Sequence, residues 1–300
     1  MSEIVVGVDQ SAAGDRALDR ALLEAESRAC PLRVVHAWTT PVWMGGVPGF
    51  GYNILASPVD SERFAKELVE DALTKGLSRR TTEAPVTVHS EVKEGAPGPV
   101  LVSVSQDAAL VVVGGRGQGY LKSALLGSAT SYVLHHASCP VMVVPEPGAP
   151  AGRYQRVIVG VDGSPSSRSA LRWGLDAARR QSCPLIAMHA WLLTTLPGRP
   201  PMHFVPELSE YESEAHEWLE KEVAEVLPEP SGVDVRIELS HSTAAWGLMD
   251  KAGPDDLLVL GSRGRGGFAS LVLGSVAMQC SQHARGVVVV VRAEQERLDL

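Results

Sequence analysis

Gly114-Gly115-Arg116-Gly117, then nine residues, then Gly127-Ser128: this stretch returns as Gly261-Ser262-Arg263-Gly264, nine residues, and Gly274-Ser275. Each copy follows an apolar run that reads as a buried strand, residues 110–113 and 257–260. Each precedes a run that reads as a helix. A glycine-rich turn between a strand end and a helix start is a natural phosphate cradle. Glycine lets backbone N–H groups approach an anion closely, and a helix N-terminus adds unpaired N–H donors with a partial positive charge. The Ser at the helix start can cap the helix or donate to a phosphate oxygen. One copy alone reads equally well as an ordinary strand-to-helix loop. Two copies with identical spacing favour the ligand-binding reading.

The repeat extends outward from these loops. Ile4-Val5-Val6-Gly7-Val8-Asp9 returns as Val157-Ile158-Val159-Gly160-Val161-Asp162. Cys30-Pro31-Leu32 and Val35-His36-Ala37-Trp38 return as Cys183-Pro184-Leu185 and Met188-His189-Ala190-Trp191. The offset is 162 − 9 = 153 early and 261 − 114 = 147 at the glycine loops, so six residues are lost between. A unit of about 150 residues is a duplicated domain rather than a solenoid repeat. The chain divides by this reading into domains 1–146 and 155–294, a linker 147–154 and a C-terminal tail 295–300.

The first unit reads as strand 4–9, helix 11–29 with Ser11 as N-cap, and strand 32–38. A Gly/Pro-rich loop at 39–60 follows, then an amphipathic helix 61–80 carrying Phe64, Leu68, Leu73 and Leu77. A more polar strand at 86–91 suits an outer position. Helix 97–106, strand 110–113, helix 128–136 and strand 141–144 complete it. The second unit repeats the order: strand 156–162, helix 165–180, strand 185–191, a Pro-rich loop 192–207, helix 209–227 and strand 233–239. Helix 244–252, strand 257–260, helix 275–283 and strand 287–291 close it. Alternating strands and helices with continuously apolar strands predict an α/β fold, two doubly wound domains with parallel sheets covered on both faces. In such sheets the ligand sits beyond the strand carboxyl ends, where the strand order reverses. If the first and fourth strands of a unit are neighbours, Asp9 and Gly114 meet in one cleft, and so do Asp162 and Gly261.

Composition limits the function classes. The chain is 45% apolar and 21% charged, which is globular. A net charge of −8 argues against a general nucleic-acid or anionic-membrane binder, but allows a small anion held by backbone donors. Asp9 and Asp15 interrupt any signal-like start, and no apolar run reaches the ~18–20 residues that span a bilayer. Four scattered cysteines without C-x-x-C spacing fit a reducing cytoplasm better than a disulfide framework or a zinc site.

An Asp at the end of a first strand can accept from vicinal ribose hydroxyls, or simply cap a helix. Arg116 and Arg263 can contact phosphate or face solvent. Ser128 and Ser275 are better placed for phosphate. Several such bonds, each about 1.5–3 kcal/mol, suffice for micromolar binding. No P-loop signature exists, and Gly264-Arg265-Gly266-Gly267-Phe268-Ala269 matches a dinucleotide fingerprint by letters only, after the fourth strand. His135, His136 and Cys139 resemble a metal cluster, but the second unit keeps only His283, so these read as helix-end histidines. His36 and His189 fit core or cleft-lining roles, and Trp38 and Trp191 read as packing residues. No Ser/His/Asp or Cys/His set has a traceable spacing, and no general base for hydrolysis stands out.

These residues resemble the universal stress protein family, in its tandem two-domain, actinobacterial type. The G-x2-G-x9-G-[ST] signature occurs twice, each about a hundred residues after a V-G-V-D strand end, and the resemblance covers nearly the whole chain. It implies a five-stranded parallel sheet of order 3-2-1-4-5 in each unit, with ATP at the strand carboxyl ends and any Mg2+ carried by the nucleotide. By that resemblance Gly7, Val8, Asp9 and Ser11 lie at the sugar and phosphates, and Val35 and His36 border the adenine. Gly114, Gly115, Arg116, Gly117, Gln118, Gly119, Tyr120, Gly127, Ser128 and Ala129 hold the phosphates. In the second unit Gly160, Val161, Asp162, Ser164, Met188 and His189 match, as do Gly261, Ser262, Arg263, Gly264, Arg265, Gly266, Gly267, Gly274, Ser275 and Val276. The family pairs its domains through the last strands, here 141–144 and 287–291.

Three departures set the two units apart. Gln10 stands where the second unit has Gly163. Gly115 replaces the Ser kept as Ser262. Gly95-Ala96-Pro97 becomes Ser242-Thr243-Ala244. The resulting expectation is a cytoplasmic ATP-binding regulator of stress or growth. It would order its Pro/Gly-rich loops on binding, form a homodimer and present a changed surface to a regulatory protein partner, with no nucleic-acid or membrane partner. The alternatives are a slow ATP hydrolase or nucleotidyl transferase, and a module that binds AMP, cyclic AMP or no nucleotide.

Overall fold

The computed structural model describes residues 2–39, 58–80, 84–117, 126–146, 152–191, 208–227, 231–265 and 272–293. The expected loop ordering (nearly all of 39–60, and 192–207), most of the linker and the tail lie outside these residues. So do Gln118, Gly119, Tyr120, Gly266 and Gly267.

The chain forms two compact units, residues 1–139 and 140–300. In the first unit β1 (Ile4–Gly7), α1 (Ala12–Arg28), β2 (Leu32–Trp38), α2 (Pro58–Ser78), β3 (Val88–Glu94), α3 (Pro97–Val104), β4 (Leu110–Gly114) and α4 (Ser128–His136) follow in order. Its strands lie β3-β2-β1-β4, all parallel. The reversal falls between β1 and β4, with Ile4 opposite Leu110, which brings Asp9 and Gly114 to the same sheet end. The helices pair as α1 with α2 and α3 with α4, one pair per face of the sheet. Ile4, Leu18, Leu22, Leu32, Leu110 and Leu134 are fully buried between these layers. Each such aliphatic side chain contributes about 1.5–3 kcal/mol.

The second unit contains β5 (Val141–Val144), β6 (Val157–Gly160), α5 (Pro165–Gln181), β7 (Leu185–Trp191), α6 (Leu208–Val226) and β8 (Val235–His241). It continues with α7 (Ala244–Lys251), β9 (Leu257–Gly261), α8 (Ser275–His283) and β10 (Val287–Val291). Its parallel part runs β8-β7-β6-β9-β10, the 3-2-1-4-5 order of the second sequence repeat. A sixth strand, β5, closes the other side of β10 in antiparallel pairing, Val143 opposite Val288 and Val141 opposite Val290. The strands that end the two sequence repeats therefore pair directly. β5 ends the first repeat, whose strand order is likewise 3-2-1-4-5, and its pairing covers the edge of β10 that would otherwise be a template for aggregation.

Two readings change in detail. The outer strands begin and end about two residues later than the alternation suggests, at 88–94 and 235–241, because each matches its neighbour residue for residue from Leu32–Val88 to Trp38–Glu94 and from Leu185–Val235 to Trp191–His241. Helix α2 buries Ala65, Leu68, Val69 and Ala72, whereas Phe64 and Leu77 are exposed. The buried stripe runs 65, 68, 69 and 72, and Phe64 and Leu77 lie outside it. No helix among the described residues is long and apolar enough to cross a membrane.

Candidate functional site

In each unit the chain leaves the first strand through an aspartate and enters the first helix within three residues. Val8 N–H bonds the Val35 carbonyl at 3.0 Å, and Val161 N–H the Met188 carbonyl at 2.8 Å, so ladder pairing persists to the turn. Ser11 caps α1 by accepting from Gly14 N–H at 3.0 Å, and Ser164 caps α5 by accepting from Ser167 N–H at 3.2 Å. The turn between needs a left-handed residue: Gln10 has φ 61° and Gly163 φ 74°. That conformation costs a side-chain-bearing residue about 1–2 kcal/mol relative to glycine, so the substitution of Gln10 for glycine is strained rather than silent.

Opposite each turn lies the glycine loop, and the two are packed to contact. A Cβ at Gly114 would lie 2.8 Å from the Ala13 backbone, and one at Gly261 2.7 Å from the Ser166 backbone. A Cβ at Gly117 would strike Asp9 Oδ2, and one at Gly264 would strike Asp162 Oδ2. The loop thus presents bare backbone beside a carboxylate. Gly127 N–H bonds the Gly115 carbonyl at 2.8 Å and Gly274 N–H the Ser262 carbonyl at 2.7 Å, which closes each loop onto its helix. Gly127 and Gly274 are the N-caps of α4 and α8, in extended conformation and without a side-chain cap. Ser128 and Ser275 are therefore first-turn residues rather than caps, and both side chains are exposed. The first-turn N–H groups of Ser128, Ala129 and Thr130, and of Ser275, Val276 and Ala277, have no acceptor within their helices. Thr130 Oγ1 donates to the Gly114 carbonyl at 2.6 Å and fixes the strand end against α4.

The remaining expected residues take supporting places. Val35 and Met188 are buried, and their carbonyls are the ones engaged by Val8 and Val161. His36 Nδ1 lies 2.7 Å from the Val8 carbonyl and His189 Nδ1 2.7 Å from the Val161 carbonyl. Facing a carbonyl, each Nδ1 carries the proton, and the imidazole pins the strand end from the cleft side. Gly7 and Gly160 are small for packing: a Cβ there would lie 2.8 Å from Leu101 and 2.8 Å from Leu260. His135 and His136 turn Nδ1 back to the Ser131 and Tyr132 carbonyls of their own helix at 2.7 and 2.8 Å, and His136 stacks on Tyr132. Among the described residues no group of three or more His, Cys, Asp or Glu could hold a metal ion.

Both aspartates accept from the backbone of the serine that caps the following helix. Asp9 Oδ1 accepts from Ser11 N–H at 3.1 Å and Ser11 Oγ at 2.5 Å. Asp162 Oδ1 accepts from Ser164 N–H at 3.0 Å, and its Oδ2 accepts from Arg265 N–H at 3.0 Å, across the loop. Burial pushes the Asp162 carboxyl upward. The hydrogen bonds from Ser164, Arg265 and Ser167 outweigh that and hold it below the ordinary carboxylate value of 3.8. The Arg263 carbonyl accepts from Ser164 Oγ at 3.1 Å and from Ser166 Oγ, and Arg263 N–H donates to Ser166 Oγ at 3.3 Å.

A model of the universal stress protein family matches residues 1–145 and 153–292. The chain belongs to that family. A universal stress protein of Mycobacterium tuberculosis is 35% identical over 293 residues, covering 96% of each chain. One of Mycolicibacterium smegmatis is 32% identical over 291 residues, again 96% of each. Among solved structures, a universal stress protein of Archaeoglobus fulgidus superposes with a TM-score of 0.67 over 97% of this chain and 98% of that one. At 17% identity this is a likeness of fold. The chain is thus a tandem pair of universal stress protein domains of the actinobacterial type.

Sequence reading missed three residues of the second site. Ser166 and Ser167 look like a helix start and nothing more, until the loop from a hundred residues later lands on them. Trp218 reads as one apolar residue of an amphipathic helix. The structure puts its ring 4.7 Å from that of His189, edge to face, and under the Arg265 guanidinium. Arg168 holds this helix to α5 through Glu222, at 2.6 and 2.9 Å.

Proposed function

We propose that this universal stress protein binds a nucleoside phosphate, ATP first among them, at the strand carboxyl ends of each unit. It would act as a nucleotide-dependent regulator. The observation that carries the reading is the bare backbone of Gly117 and Gly264 set against the strand-end aspartates, with no room for a Cβ. A first-turn set of helix N–H groups stands beside each, a combination that suits vicinal hydroxyls and phosphate oxygens together. Gly114, Gly117, Ser128 and Ala129 would face the phosphates in the first unit, and Gly261, Gly264, Ser275 and Val276 in the second, with Asp9 and Asp162 toward the ribose. Any Mg2+ would arrive with the nucleotide.

A hydrolase would need a base to activate water. A carboxylate held below its ordinary range, as Asp162 is, is a poor one near neutral pH. The reading includes a homodimer and a regulatory protein partner; sedimentation of the ATP-loaded chain tests the dimer, and a monomer at every loading removes it.

Mass spectrometry of nucleotide released from the freshly purified, acid-denatured chain tests the central proposal. ATP near two per chain is expected. About one per chain would restrict the reading to one unit. No bound nucleotide, followed by no saturable binding at millimolar ATP, would overturn it.

A further inference from the structure

We propose that Arg265 is a phosphate-responsive strap confined to the second site: parked on Trp218 without phosphate, it is drawn off by phosphate, so that occupancy is registered at α6. The inference rests on the reading that this cradle takes a nucleoside phosphate.

The Arg265 backbone is fixed, because its N–H bonds Asp162 Oδ2 at 3.0 Å within the glycine loop. Its side chain instead crosses the strand-to-helix turn. The guanidinium carbon lies 5.1 Å from the centre of the Trp218 ring. Its Nη2 and Cζ fill the space over Gly163, where any Cβ would collide with them, and Trp218 Cζ2 would lie 3.0 Å from that Cβ. Glycine at 163 thus serves the strap as well as the turn. Trp218 in turn packs edge-on against His189, whose Nδ1 proton holds the Val161 carbonyl. Arg265, Trp218, His189 and the end of β6 form one contiguous chain of contacts, running from the phosphate loop to α6 and back to the strand beside Asp162.

Among the described residues no carboxylate pairs with the Arg265 guanidinium; its partner is an aromatic face. A cation stacked on a partly exposed ring is held weakly, whereas a charge-assisted bond from guanidinium to phosphate oxygen is short, directional and stronger. A phosphate placed at the loop from which Arg265 springs therefore wins the guanidinium, and Trp218 loses its cover. In the first unit the matching sequence positions are Gln118 for Arg265 and Gln10 for Gly163, an uncharged residue and a filled turn. The device belongs to one site only.

The test uses the full chain labelled with 5-fluorotryptophan, the Trp218 fluorine resonance being assigned by its loss in Trp218→Phe. ATP, inorganic tripolyphosphate and adenosine are titrated separately, and ATP binding is measured independently by equilibrium dialysis. The expected result is a shift of the Trp218 resonance with ATP and tripolyphosphate but not with adenosine. In Arg265→Ala, which changes an exposed side chain, the shift is lost and ATP at the second site weakens roughly five- to tenfold. ATP bound at two per chain with an unmoved Trp218 resonance would overturn the strap and leave nucleotide binding standing. A shift with adenosine alone would overturn it in favour of a base contact. No ATP in the dialysis would overturn both.

Discussion

The two sites carry the same loop motif at the same spacing, yet the helix start facing the loop supplies more hydroxyls at the second. At the first site Ser11 Oγ has one proton and two acceptors in reach. Asp9 at 2.5 Å takes it, and the Arg116 carbonyl at 3.5 Å is left at the limit of a hydrogen bond. At the second site Ser166 supplies a further hydroxyl to the Arg263 carbonyl. The matching residues of the first unit, Ala13 and Gly14 for Ser166 and Ser167, have no hydroxyl to give. A loop already fixed in its binding shape loses less entropy when a ligand arrives. On the proposed reading the motif defines where a phosphate would go, and the neighbouring helix start defines how well prepared the place is.

The comparison can be broken at what the sites share. Gly114→Ala and Gly261→Ala each force a methyl against helix backbone, and each should cost about 1–3 kcal/mol. Urea unfolding measures it, and a cost under about 0.5 kcal/mol at either position would mean that strand and helix do not pack as tightly as described. The left-handed turn comes next. Gly163→Gln should lose about 1–2 kcal/mol and displace Arg265. Gln10→Gly should gain about 0.5–1 kcal/mol, the relief of strain less the added freedom of the unfolded chain. Thermal unfolding of the pair decides it, and the same sign for both would sink the account.

A smaller effect concerns the hydroxyls. Ser166→Ala should cost about 1 kcal/mol and weaken ATP at the second site several-fold, while Ala13→Ser should move the first site the other way. Calorimetric titration resolves the two sites, and equal affinities in the unaltered chain would remove the asymmetry. The smallest effect is with pH. The Asp162 carboxyl titrates lower in the folded chain than in the unfolded one, so the unfolded chain binds more protons between the two values. Its contribution to stability is complete above the unfolded value, near 3.8, and is lost as pH falls through the folded value. Asp162→Asn should flatten the acid limb of the stability curve. An unchanged limb would show that the hydrogen bonds to this carboxylate do not discriminate its charge.

Much of this was legible in the residues. The valine-rich strands, the serine caps before α1 and α5 and the doubled glycine loop gave the alternating order and the reversal point, because they are local or repeated. The edge strands were misjudged by two residues because their ends are set by the partner strand. Which apolar residues of α2 meet the sheet was not legible, because helical spacing does not fix how the helix is rotated against its neighbours. Ser166, Ser167 and Trp218 gave no signal, since their meaning comes from a loop and a helix distant in sequence.

The sequence by itself determined the duplication, the α/β order and the place of the loop, through periodicity, capping and glycine. Only the tertiary structure decided where the edge strands end, that Ser128 and Ser275 stand free of capping duty, and that Arg265 lies over Trp218. Those outcomes depend on which edges, carbonyls and rings come within a few ångströms of one another, and that is fixed by packing between distant segments rather than by any residue's own preference.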